Sequence, residues 1–157
     1  MPSSSLFRNP SDLLIHDHFH LKDLFAEYER FVPGERERKS AMIRRIEEGL
    51  RFHFDIEEHL LYPALLTVKS RAVEELVRTA KSEHRAILDS CAELSRLEGE
   101  DSQERMMKAL FKQVVLYADF EEKRLLPWVR ALPGVTLREM SLEIEERKGE
   151  GSRPHQD

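Results

Sequence analysis

The sequence predicts an all-α protein, an up-down-up-down four-helix bundle with a short C-terminal helical extension. Three observations predict it. Apolar residues recur at helical spacing along four long segments. No segment alternates as a half-buried strand would. The breaks between segments are short, and all but 67–70 carry Gly or Pro-Gly, which suits neighbouring helices in a bundle. Hydrophobic residues make up 40% of the 157 and charged ones 35%, enough for one core wrapped by solvated helix faces.

The elements follow in order. Residues 1–10 read as a flexible arm. Ser11 or Asp12 can cap a first helix running to about Phe31. Val32-Pro33-Gly34-Glu35 breaks the pattern, and a second helix runs from about Arg36 to about Leu66. Pro63 lies in its last turns, where proline should kink or end a helix. A third helix covers roughly 71–97 and stops at Glu98-Gly99. Asp101 or Ser102 caps a fourth, to about Leu132, and Pro133-Gly134 ends it. Residues 136–148 are helix-prone but charged all round, except at Leu137, Met140, Leu142 and Ile144. They read as a short packed or frayed helix, with 149–157 disordered. The bundle therefore occupies 11–132, and 133–157 form the extension and tail.

Each helix carries one apolar stripe, and six polar residues interrupt the stripes: His18, His53, Glu57, His84, Tyr117 and Glu121. At about 1.5 Å of rise per residue, their heights in the four helices agree within roughly one turn. All six should converge on one layer. Two of them form His53-x3-Glu57, and Tyr117-x3-Glu121 repeats the spacing. Both copies continue with a second acid, Glu58 or Glu122, and end in Pro63 or Pro127. Residues i and i+4 share a helix face, so each copy projects a ring donor and a carboxylate together.

One such pair on a solvated helix carries little information. Two pairs on core stripes, with two further core histidines at the same height, point to a metal. Buried carboxylates are costly unless paired or bound to a cation, and no Lys or Arg lies on the stripes at that height. Imidazoles and carboxylates suit Fe, Mn or Zn. Five or six donors exceed one tetrahedral zinc, and two carboxylates able to bridge suggest two ions. Glu58 and Glu122 flank the stripes and fit as outer partners of the histidines. His16 and His20 lie on a wetter face, His59 falls off its stripe, and His155 is in the tail. Cys91 and Trp128 read as packing.

The chain resembles a hemerythrin-like (HHE cation-binding) domain. The matching motifs are Asp17-His18, His53-x3-Glu57-Glu58-x3-Tyr62-Pro63, Glu83-His84-Arg85 and Glu121-Glu122-x4-Pro127, over roughly 11–132. The resemblance implies a non-haem di-iron centre bridged by two carboxylates, with His18, His53, Glu57, His84 and Glu121 as ligands. Two departures stand out. The family's fourth helix brings a histidine four residues before its acid, where this chain has Tyr117. Oxygen-carrying members have a second histidine four residues on in the third helix, where this chain has Leu88. Tyr117 either ligates iron as a phenolate or bonds a ligand from outside. A phenolate ligand would stabilise ferric iron and disfavour a reversible O2 carrier.

The leading functional expectation is a di-iron protein that binds or senses O2, NO or peroxide, with apolar Leu50, Phe54, Ile87 and Phe120 near the layer. The alternatives are a peroxide- or NO-consuming or iron-repairing enzyme, and a structural or zinc-binding bundle; zinc or manganese could substitute for iron. No general base or substrate cleft is visible apart from the metal, so the expectation leans away from an enzyme. A net charge of −5 argues against a nucleic-acid partner. No apolar run approaches the roughly 20 residues needed to cross a bilayer. Met1-Pro-Ser-Ser-Ser lacks the basic start of a signal peptide, and a single cysteine fits the cytoplasm.

Overall fold

Asn9 starts the first helix. Its backbone is extended, and its Oδ1 accepts the Ser11 N–H at 2.9 Å. Pro10 then takes the first helical position, where its missing N–H costs nothing. Helix α1 (Pro10–Glu29) therefore begins upstream of the expected caps Ser11 and Asp12. The computed structural model describes residues 8–151, so the expected arm and tail lie mostly outside the described residues. Within them, Pro10 is already helical and buried.

A turn follows α1, with Gly34 at φ 96°, a conformation that favours glycine. The second rod has three parts: α2 (Arg36–Ile56), a π-helical turn (Glu57–Leu61) and α3 (Tyr62–Leu66). The helix thus runs through Pro63 instead of ending there. Proline lacks an N–H, and its ring crowds the carbonyl four residues back. Widening the turn before it relieves the crowding, and the Tyr62 N–H bonds Glu57 O, five residues back.

Helix α4 (Arg71–Leu94) is shorter than expected, because Arg96 and Leu97 continue only as three-residue turns. Helix α5 (Glu100–Phe120) follows Gly99 directly, so it starts ahead of the expected caps Asp101 and Ser102. A second π-helical turn (Glu121–Leu125) and a 3-10 segment (Leu126–Ala131) extend it. The Leu126 N–H bonds Glu121 O, again five residues back and just before a proline. Both widened turns begin at an acid of the repeated motif.

The rods of α1, α2, α4 and α5 close a ring, α1 against α2 and α5, α4 against α2 and α5. Leu14, Ile46, Leu50, Ile87, Leu110 and Leu125 fill its core, each at most 1% exposed. At one end Lys39 is buried with its Nζ 2.9 Å from Glu100 and 2.8 Å from Glu104, and the Tyr28 hydroxyl donates to the same Glu104. The C-terminal extension is not short. Helix α6 (Gly134–Gly151) is a fifth rod, packed on α1 and on the π turn at 57–61. Met140, Ser141 and Ile144 are buried, whereas Leu142 points to solvent. Among the described residues there is no strand, and no helix is long and apolar enough to cross a membrane.

Candidate metal centre

The centre grows out of the two π turns. In a regular helix His53 and Glu57 would share a face, and residue 62 would point elsewhere. The wider turn stacks residues five apart, so the Tyr62 hydroxyl reaches Glu57 Oε2 at 3.1 Å. The second copy has Leu126 at the matching place, so the centre is asymmetric.

His18, His53, Glu57 and Glu121 offer four ligand atoms within 4.8 Å of one another, all buried. The two imidazole Nε2 atoms stand 3.1 Å apart. Glu57 Oε1 lies 2.7 Å from His53 Nε2, and Glu121 Oε1 lies 3.4 Å from His18 Nε2. Beside this group sits a second one. The Tyr117 hydroxyl is 2.7 Å from His84 Nε2 and 2.7 Å from Glu57 Oε2, and it donates to Glu121 Oε2 in a very short bond. The Tyr62 hydroxyl is 2.9 Å from Tyr117 and 3.1 Å from His84 Nε2. Each carboxylate thus presents Oε1 to the first group and Oε2 to Tyr117, while His84 Nε2 stands 3.6 Å from Glu57 Oε1.

Outer partners fix the imidazoles. His18 Nδ1 meets Glu122 at 3.1 Å, and His53 Nδ1 meets Asp17 at 3.3 Å. His84 Nδ1 has Glu58 at 3.6 Å, beyond hydrogen-bond reach. Phe54 stacks on the His84 ring, with centroids 3.9 Å apart. With Nδ1 of His18 and His53 paired outward, their Nε2 atoms face the interior of the cage.

This donor set fits cations. Glu57 Oε1 and Glu121 Oε1 are fully buried and accept no hydrogen bond, despite the close approach of His53 Nε2 to the former. Two nitrogens at 3.1 Å and two orphaned carboxylate oxygens form a cage of acceptors. Ligands about 2.1 Å from one ion stand about 3 Å apart when at right angles, which matches the spacing. Without an ion a proton takes that place. Burial pulls His53 down, but the Glu57 and Asp17 carboxylates outweigh it and hold the ring to about 9. Burial and the charge of His53 push His18 the other way, keeping it neutral. Burial tends to raise Glu57, but His53 and His84 hold it well below the usual carboxylate range. Burial, then the Glu57 carboxylate, push both Tyr62 and Tyr117 above the ordinary phenol range, so both are hydrogen-bond donors here.

All six residues expected to converge do so, but in two adjoining groups rather than one shell. Glu58 and Glu122 stand beside histidines as outer neighbours. His16 and His20 are exposed on the rim of a surface recess, and exposed His59 bonds its own helix through Asp55 O. His155 lies outside the described residues. Sequence reasoning missed the role of Tyr62, for which Pro63 was the available signal. It also missed Asp17 as the partner of His53, and Lys148, whose Nζ lies 2.5 Å from Asp17.

Comparison with known proteins agrees with this geometry. The hemerythrin HHE cation binding domain matches residues 9–129. A crystal structure of a hemerythrin HHE cation binding domain-containing protein from Mycobacterium kansasii, a homolog of Rv2633c, is similar at a TM-score of 0.75 and 25% identity. That likeness covers 91% of this chain and 89% of the other. No curated protein matches the chain. With its buried cage of histidines and carboxylates, the chain belongs to the hemerythrin HHE cation-binding family.

Proposed function

We propose that this protein holds two iron ions and binds or senses O2, NO or peroxide at them. One observation carries the reading: Glu57 and Glu121 each set one oxygen beside an imidazole of the first group, His53 or His18, and the other against the Tyr117 hydroxyl of the second. A carboxylate so placed can serve two ions. His18 and His53 would hold one, and His84 and Tyr117 the other, with zinc or manganese able to occupy the same donors. When bound, iron would supply a redox-active Lewis acid in a dry apolar site.

The chain's own residues do the rest. Asp17 and Glu122 orient imidazoles, so the ligand geometry is set before an ion arrives. Leu50, Phe54 and Ile87 are buried around the layer and restrict entry to small ligands. Tyr62 favours a second reading, a peroxide- or NO-consuming activity. Its protonated hydroxyl is buried against His84 and Tyr117, within reach of a small ligand at the second group.

Elemental analysis after expression in iron-replete medium tests the proposal. The expected result is about two irons per chain. A ratio that stays at one when Fe(II) is added would leave a mononuclear site, and zinc in place of iron would leave the structural reading.

A further inference from the structure

We infer that Lys148, on the last turn of α6, positions the metal ligand His53 through Asp17. The inference rests on the metal-binding reading above. The family match ends at residue 129, so α6 lies wholly beyond it. Yet α6 is tied to the centre. Lys148 Nζ is 2.5 Å from Asp17 Oδ1, and Asp17 Oδ2 is 3.3 Å from His53 Nδ1. The two contacts use different oxygens of one carboxylate, so the lysine does not compete with the histidine. Lys148 Nζ also donates to Leu13 O at 3.4 Å, which anchors the ammonium to α1 itself.

The need for such an anchor is physical. With a metal on Nε2 the His53 ring is neutral, and a carboxylate with only a neutral imidazole partner is free to rotate toward water. Asp17 is 17% exposed and lines a surface recess with His16, His20, Arg45 and Glu48. Lys148 closes one side of that recess and holds Asp17 against His53. His53 then keeps its Nδ1–H outward and its Nε2 lone pair on the ion. The helix behind the lysine is firmly placed, since Met140 and Ile144 are buried and the Ser141 hydroxyl bonds Arg8 O at 2.5 Å. Lys148 is therefore a positioning residue, and α6 belongs to the metal centre.

The test is Co(II) titration of the metal-free full chain, following affinity and the visible d–d spectrum. Lys148→Met should weaken Co(II) binding about tenfold, the lower range for loss of an outer partner, and shift the spectrum. Lys148→Arg should restore both. Asp17→Asn should weaken binding similarly, and Lys148→Met should add nothing in that background, because the lysine acts only through Asp17. Leu142→Ala, on the exposed face of α6, serves as the control and should leave Co(II) affinity and spectrum unchanged. Unchanged Co(II) binding in Lys148→Met, or full additivity with Asp17→Asn, overturns the inference. A wild-type chain that binds no Co(II) and no iron overturns the metal reading and this inference together.

Discussion

Tyr117 is the residue that makes this centre particular. It sits where the family places a histidine, and its oxygen touches His84, Glu57, Glu121 and Tyr62. In the absence of an ion it donates to carboxylates, and burial keeps it protonated. A ferric ion reverses that balance, because a bound cation lowers the pKa of a coordinated acid far below the ordinary phenol value of about 10. Tyr117→Phe should therefore abolish a broad visible phenolate-to-iron band in the iron-loaded protein. The metal-free variant should lose about 1–3 kcal/mol, since Glu121 Oε2 loses its buried donor. Equal iron content with an identical spectrum would place Tyr117 outside the coordination sphere, and the argument against a reversible O2 carrier would go with it. Cys91 is the contrasting case. Burial pushes its thiol up to about 12, so it remains inert packing on α4.

At the scale of elements, the two π turns decide the chemistry. The repeat His53-x3-Glu57 and Tyr117-x3-Glu121 was legible, because four-residue spacing and a buried stripe are written directly in the residue pattern. The extra residue in each turn was not. Pro63 signalled a disturbance, but a kink, a stop and a widened turn all satisfy a missing N–H, and tertiary packing chooses among them. Hence Tyr62 passed as a motif residue although it reaches Glu57. Pro63→Ala should let the turn relax toward a regular helix and stabilise the metal-free protein by about 1–3 kcal/mol, as proline in a helix interior costs about 3. It should weaken binding of the second ion, because Tyr62 would turn away from Glu57. Metal content and thermal melting check this together. Unchanged iron at two per chain would mean the ligands, not the proline, impose the π turn.

For the molecule as a whole, the four core stripes and the layer of six polar residues were legible, since burying one face fixes helical periodicity. The fifth rod was legible only as a short packed or frayed helix over 136–148, not in its length or its docking. Residues 136–148 are mostly charged, and the burial of Met140 and Ile144 against the bundle carries the helix on to Gly151. Lys39 was invisible for a similar reason: its partners Glu100 and Glu104 come from a distant part of the chain. The assembled molecule brings two carboxylates, three imidazoles and two phenols into a dry core. If Glu57 and Glu121 each serve two ions, losing either carboxylate should empty both positions. The measurement is iron per chain, taken side by side in wild type, Glu57→Ala, Glu121→Ala and Glu58→Ala. About two irons are expected in the wild type and in Glu58→Ala, and fewer than one when either buried carboxylate is removed. Two irons retained in Glu121→Ala would contradict the two-ion role of these carboxylates.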